Sequence, residues 1–206
     1  MTDDRRAHWD GVYSSKGEAE VSWFQDAPQP SLDLMKLVDV KPTDAVIDIG
    51  GGASRLVDHL IAAGYADISV LDLSAAALKQ AQARLGQASS AVEWIVADAI
   101  TWVPPRRYDI WHDRAAFHFL TQPNQQSHYM DRVRSALKPG GHVIIGTFAP
   151  DGPEKCSGLP VARHDAESLG ECLGSGFELL DTRRYEHVTP WTSTQRFQFS
   201  TFFRHK

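Results

Sequence analysis

The sequence predicts an α/β fold, a three-layer sandwich around a seven-stranded, mostly parallel sheet that ends in a C-terminal antiparallel hairpin. Three observations carry this prediction. Short apolar runs alternate with segments of helical periodicity between residues 45 and 148. A glycine cluster, Gly50-Gly51-Gly52, separates the first apolar run from the helical segment after it. Beyond residue 176 the pattern becomes two longer runs, the second with aromatic residues at period two.

The 206 residues suit one domain of ordinary size, with an arm or lid over 1–30, a core over 44–148, and a substrate loop plus hairpin over 149–206. The arm is irregular or helical and carries Trp9, Tyr13, Trp23 and Phe24 ahead of Pro28 and Pro30. Ser31 is placed to cap a helix through Val38, with Leu34, Leu37 and Val38 on one face. Ala45 to Ile49 reads as a buried strand and the glycines as a tight loop. Residues 54–63 have Leu56, Val57, Leu60 and Ile61 on one helical face, with Gly64 as terminator. Ile68 to Leu71 is the second strand, and Ser74 caps a helix to Leu85 that Gly86 closes. Val92 to Val96 is the third strand and Tyr108 to Trp111 the fourth, followed by HDRAAFHFL. Asn124 begins a helix to Leu137, KPGG is a turn at 138–141, and His142 to Phe148 is the fifth strand. Asp165 caps a short helix bearing Leu169, Cys172 and Leu173. Phe177–Tyr185 and Gln195–Arg204 form the hairpin, with Phe197, Phe199 and Phe203 on one face and Phe202 on the other.

Composition excludes several classes. The 42% hydrophobic content suits a packed core and excludes a disordered chain. With 21 Lys and Arg against 26 Asp and Glu, the net charge of -5 lacks the footprint of a nucleic-acid binder or of a basic membrane-surface binder. No apolar run approaches the ~18 residues that cross a bilayer. The start MTDDRRAHWD lacks the pattern of a secretory signal, so the cytoplasm is the expected location. Cys156 and Cys172 form no CxxC or Cys/His pattern, and no metal site is expected. Nothing in the sequence sets an oligomeric state.

Chemistry concentrates at the strand ends. Glycines after a buried strand allow positive φ and let a ligand approach bare backbone at the rim of a parallel sheet. Asp72 ends the second strand, where a carboxylate can accept from ribose hydroxyls. Asp98 follows the third strand, where it can meet an adenine amino group, and Asp48 precedes the glycines. Such acids also cap helices, and Asp72 just before Ser74 is the one most open to that reading. Arg55 stands where a dinucleotide fingerprint places a small residue, and no phosphate loop is present. The site therefore reads as suited to a nucleoside without phosphate.

VIDIGGGASRL, VLDLS, ADA at 97–99, YDIWHDRAAFHFL and LKPGGHVIIGTF together resemble the successive motifs of class I S-adenosylmethionine-dependent methyltransferases, over about residues 44–148. The resemblance implies a Rossmann-like sheet and S-adenosylmethionine as methyl donor, with S-adenosylhomocysteine as product. Asp48, Gly50 and Gly52 match the family's first motif, with Gly51 between the two glycines, while Ser54 replaces its last glycine. By that resemblance Asp48 and the glycines contact the methionine part, Asp72 holds the ribose, Leu73 lies on the adenine, and Asp98 with Ala99 meets the adenine edge. His112 and Asp113 would border the sulfonium and the acceptor. The arm WDGVYSSKGEAEVSWFQ resembles the lid of the small-molecule branch near thiopurine and tellurite methyltransferases. Tyr13, Trp23 and Phe24 are the aromatic residues that would close over the cofactor; the other open reading is that they anchor the arm.

Methyl transfer from a sulfonium is an in-line displacement whose main demand is orientation. A protonated acceptor also needs a base, for which His112, Asp113 and His118 are candidates. Asp113 can instead pair with Arg114, and His118 can be a wall residue. Arg114 and Arg163 can bind an acidic acceptor or lie on a solvated face, and Cys156 can meet a soft acceptor or be a packed thiol. The expected partner is a small-molecule acceptor. His112-Asp113-Arg114-Ala115 stands where nucleic-acid amine methyltransferases carry a [DNS]-P-P-[YFW] motif, which disfavours that substrate. A protein lysine methyltransferase and a cofactor-binding protein without turnover are the competing readings.

Overall fold

The computed structural model describes residues 2–206. Helix α1 (Thr2–Ser15) opens the chain and α2 (Gln29–Leu37) follows. Strand β1 (Val46–Ile49) leads through the glycine loop to α3 (Leu56–Ala62). Then come β2 (Ile68–Asp72), α4 (Ala75–Leu85), β3 (Val92–Val96), β4 (Tyr108–Arg114), α5 (Pro123–Ala136) and β5 (Leu137–Phe148). Strands β6 (Lys155–Cys156) and β7 (Leu159–Pro160) make a small hairpin before α6 (Ala166–Leu173), and β8 (Phe177–Val188) and β9 (Thr194–Arg204) end the fold.

The sheet order is β3-β2-β1-β4-β5-β9-β8. Strands β1 to β5 are parallel, while β9 runs antiparallel to both β5 and β8. Every residue of β1 and β2 is buried, as expected of central strands covered on both faces. One face is packed by Leu34 and Met35 of α2, Leu56 and Leu60 of α3, and Leu78 of α4. The other is packed by Met130 and Val133 of α5 with Leu169 and Leu173 of α6. Period two divides β9 as predicted, since Phe197 and Phe199 join the first core and Phe202 the second. Among the described residues, no helix is long and apolar enough to cross a membrane.

Several boundaries differ from the sequence reading. Strand β4 runs on through His112 and Asp113 to Arg114, because these polar side chains find partners inside the fold. Strand β5 starts at Leu137, which pairs with Tyr108, so α5 stops at Ala136 and KPGG lies within a strand beside a register shift instead of forming a turn. Helix α2 starts at Gln29 with Pro30 in its first turn, where the missing N–H costs nothing. Ser31 is therefore inside the helix and does not cap it. Ser74 does cap α4, accepting from the Ala77 N–H at 3.2 Å, and Asp165 caps α6.

Gly146 of β5 pairs with Phe199 of β9, and a Cβ there would lie 2.5 Å from the ring. Gly146→Ala should therefore destabilise the fold by roughly 1–3 kcal/mol through overpacking. Urea unfolding measures this, and a midpoint unchanged from the parent would contradict the packing.

Candidate active site

The order of the strands reverses between β1 and β4, and a parallel sheet opens a crevice at the carboxyl ends there. A cavity of about 390 Å³ fills that crevice, within the range of small-molecule sites. Its floor includes Gly50, Asp72, Leu73, Asp98 and Ala99, and the arm covers it with Arg5, Trp9, Tyr13 and Trp23. Arg114 closes one side with Cys156, Leu159 and Pro160.

The glycine loop needs its glycines for space and for backbone angle. Gly50 and Gly52 have φ of 66° and 48°. A Cβ on Gly50 would lie 2.5 Å from that of Ala116, and one on Gly51 would lie 2.6 Å from an Asp48 oxygen. A Cβ on Gly52 would lie 3.0 Å from both the Asp72 carboxylate and the Tyr13 hydroxyl. Gly50 lines the cavity, while Gly51 and Gly52 back the loop against Asp48, Asp72 and Tyr13.

Asp48 sits beneath the loop and does not line the cavity. Its Oδ1 is 2.7 Å from His112 Nδ1, and His112 Nε2 is 2.8 Å from Ser31 Oγ. All three groups are satisfied when Nδ1–H donates to Asp48 and the Ser31 hydroxyl donates to Nε2. His112 is thus a strut between α2 and the loop, with both ring nitrogens occupied. Asp113, the next residue of the pleated strand, points to the opposite face. It accepts from Tyr129 Oη and from the N–H groups of Ala116 and Phe117. Burial nevertheless pushes its carboxyl up to about 6. His118 is buried in a 3-10 turn against Phe148, and burial pushes it down to about 3. None of these three expected bases faces the cavity. The reason is shared: the chain that reads as a loop after Trp111 is strand and tight turn, and it turns these side chains inward.

Asp72 does face the cavity. It accepts from the Ser74 N–H at 2.7 Å. Burial, opposed by that bond and reinforced by the charges of Asp48 and Asp10, pushes it up to about 7. Asp98 accepts from Arg5 at 2.6 Å and from the Ile100 N–H at 3.1 Å. Arg5 comes from α1, so the arm reaches the carboxylate of the third strand's end.

The arm is both anchored and part of the wall. Trp9 packs on Trp23 and Phe119 at ring-centroid distances of 5.7 and 4.9 Å. His187 Nε2 meets the Ser22 carbonyl at 2.6 Å, and the Gln80 amide donates to the Tyr13 carbonyl. Burial and the nearby Asp72 raise the Tyr13 phenol, which keeps its proton. Phe24 is elsewhere: its ring lies under Arg55 at 5.4 Å, beside the cavity wall and not in it. Arg163 is also outside, donating to the Gly152 carbonyl and facing Glu154 at 3.5 Å. Cys156 lines the cavity, but burial pushes its thiol up to about 12, so it is no thiolate at neutral pH. Among the described residues, no three His, Cys, Asp or Glu side chains are grouped to hold a metal ion.

Sequence reasoning missed Arg5, Trp9, Gln122, Gln125 and Tyr129 as wall residues. Arg5, Trp9 and Tyr13 follow one another at i, i+4 on α1, and a firm helical reading of the arm would have brought them together.

Comparisons with known proteins agree with this arrangement. Residues 46–141 match the family described as a methyltransferase domain. Trans-aconitate 2-methyltransferase of Rhizobium rhizogenes is 29% identical over 126 residues, 61% of this chain and 46% of that protein. The chain thus spans about half the length of that relative. EEF1A lysine methyltransferase 2 of Danio rerio is 21% identical over 192 residues, covering 85% of this chain and 76% of that protein. Among solved structures, Burkholderia thailandensis 1,6-didemethyltoxoflavin-N1-methyltransferase, with 1,6-didemethyltoxoflavin and S-adenosylhomocysteine bound, superposes with a TM-score of 0.74 at 19% identity. That match covers 100% of this chain and 91% of the other, and it places the sheet and hairpin among Rossmann-like methyltransferase folds.

Asp72 generates a pH prediction. A ribose diol placed at Asp72 would donate to its ionised carboxylate, a carboxyl that burial pushes up to about 7 in the free protein. Affinity for S-adenosylhomocysteine should therefore rise as pH increases through 7 and level off above it. Asp72→Asn should weaken binding about 10–100-fold, the worth of hydrogen bonds to a charged group, and flatten the profile. Calorimetric titrations between pH 5.5 and 8.5 measure both, and a parent profile without slope would contradict the assignment.

Proposed function

From the match of residues 46–141 to the methyltransferase-domain family, we propose that this chain is an S-adenosylmethionine-dependent methyltransferase that methylates a small-molecule acceptor by in-line displacement. One observation carries the reading: the glycine cradle and the carboxylates at the ends of the second and third strands open on the same cavity. The residues fit a nucleoside sulfonium. Bare backbone at Gly50 leaves room for the amino-acid end, where any side chain would collide with Ala116. Asp72 holds the ribose hydroxyls, Leu73 and Ala99 flank the base, and Asp98 meets the adenine edge in company with Arg5. The aromatic faces of Tyr13 and Trp23 attract a sulfonium and exclude water, the role implied by the arm's resemblance to thiopurine and tellurite methyltransferases.

When bound, S-adenosylmethionine supplies a methyl group already activated for transfer. The chain's own contribution is to hold and align, which can supply roughly 7–11 kcal/mol in favourable cases. Arm residues Trp9, Tyr13 and Trp23 exclude water above the crevice, and β6–β7 bounds its far side. Proton removal is not a task for His112, Asp113 or His118, whose side chains are turned into the fold.

A cavity partly covered by an anchored arm favours a small acceptor. The zebrafish relative that acts on a lysine gives the second reading its weight. Against it, an entering lysine ammonium would meet the Arg114 guanidinium in the same cavity. Incubation with radiolabelled S-adenosylmethionine and a cell extract separates these readings. The label should appear in the low-mass fraction. Label confined to protein would replace this reading with the lysine one. Binding of S-adenosylhomocysteine with no label transferred would mean cofactor binding without turnover.

A further inference from the structure

We propose that the acceptor is a small organic carboxylate, anchored by the Arg114 guanidinium and methylated on oxygen to give a methyl ester. The inference rests on the methyltransferase reading and adds the substrate class.

Arg5 and Arg114 are the cationic side chains lining the cavity. Arg5 is spent on Asp98 at 2.6 Å. Arg114 has no carboxylate within ion-pair distance among the described residues; its one hydrogen bond goes to the main-chain carbonyl of Trp23, at 2.8 Å. A guanidinium carries five N–H donors in a planar fork that matches a carboxylate. Here most of that fork is uncommitted. Burial depresses the Arg114 pKa, and the charge of Asp48 opposes that shift without forming a direct ion pair. An anionic ligand supplies what the fold leaves out.

Position favours the acceptor over the nucleoside. Arg114 ends β4, and β5 and β9 lie on its far side from β2 and β3, whose ends carry Asp72 and Asp98. Asp48 and Tyr13, then Tyr185 of β8 and Cys156 of β6, lie within electrostatic reach of the guanidinium. The anion site is therefore on the opposite flank of the crevice from the adenosine groups.

The lack of a base in the cavity points the same way. No histidine or lysine is among the described residues that line it. Tyr13, Tyr129 and Cys156 line it with their protons firmly held. Asp72 and Asp98 already have partners. An amine or alcohol acceptor would have to shed a proton with no group placed to take it. A carboxylic acid, with an ordinary pKa near ~4, arrives ionised at neutral pH. One carboxylate oxygen forms the new O–C bond while the C–S bond breaks, its electron pair returns to sulfur, and no proton moves. Positive and negative charges cancel in the products, a neutral ester and a neutral thioether at the reacting centre. Burial of the crevice strengthens the attraction between the anionic oxygen and the sulfonium.

Calorimetry on the full chain loaded with S-adenosylhomocysteine tests this. The probes are trans-aconitate, malonate and benzoate, each beside its neutral methyl ester. At least one acid should bind, and at least ten-fold more tightly than its ester. Arg114→Gln should weaken that acid at least ten-fold, Arg114→Lys less, and both should keep S-adenosylhomocysteine affinity within about two-fold, as should their thermal unfolding midpoints stay close to the parent's. The acid–ester comparison on the parent protein stands even if the variants misfold. Equal binding of acids and esters, or of none, overturns the proposal while leaving the methyltransferase reading intact. Loss of S-adenosylhomocysteine affinity in Arg114→Gln, with methylthioadenosine affinity kept, would assign Arg114 to the donor's own carboxylate and also overturn it. Failure of the parent protein to bind S-adenosylhomocysteine would sink the methyltransferase reading itself.

Discussion

Asp48 and His112 are direct partners in the register between β1 and β4, and their side chains are hydrogen-bonded at 2.7 Å. One residue further on, β1 ends and the crevice opens. The pair therefore sits one rung before the last, Ile49 opposite Asp113, at which the two strands part. The chain from Ser31 through His112 to Asp48 ties helix α2 to the underside of the glycine loop. Gly51 lies so close above Asp48 that no side chain fits between them. The loop's shape, and with it the bare surface offered at Gly50, follows from this buried polar chain. Residues that read as reactive are here structural, because a buried carboxylate beneath a glycine turn must be hydrogen-bonded.

The cavity above that strut is short of matched charge in two places. Asp72 holds a carboxyl raised by burial, with main-chain bonds from Ser74 and Leu73 only. Arg114 holds a guanidinium depressed by burial, with one bond to Trp23. The carboxylate has room for further donors and the guanidinium for an acceptor, and they stand at the ends of different strands, β2 and β4. A ligand set that brings hydroxyls to the first and an anion to the second satisfies both.

Much of the fold was legible. The alternation of apolar runs located all five parallel strands, and the phenylalanines of the last strand were assigned to their faces correctly because period two survives wherever both faces are buried. The strand-end groups Gly50, Asp72, Leu73, Asp98 and Ala99 were found and do line the cavity, since topology alone brings strand ends to one rim. His112, Asp113 and His118 were misplaced for one reason. Apolarity marks a strand's end only where polar residues meet water, and β4 continues through polar residues whose partners are distant in sequence. Ser31 and Asp48 are 81 and 64 residues away from His112. Arg5 and Trp9 were not assigned to the wall because α1 carries no apolar stripe strong enough to declare itself a helix.

The claim on which the account stands is that this crevice holds a nucleoside sulfonium through bare backbone and two carboxylates. A crystal structure grown with S-adenosylhomocysteine tests it most directly. Density for the ribose should lie on Asp72, with adenine between Leu73 and Ala99 and the amino-acid end over Gly50. A crevice filled by the arm's own side chains, or a nucleoside bound away from Asp72, would contradict it.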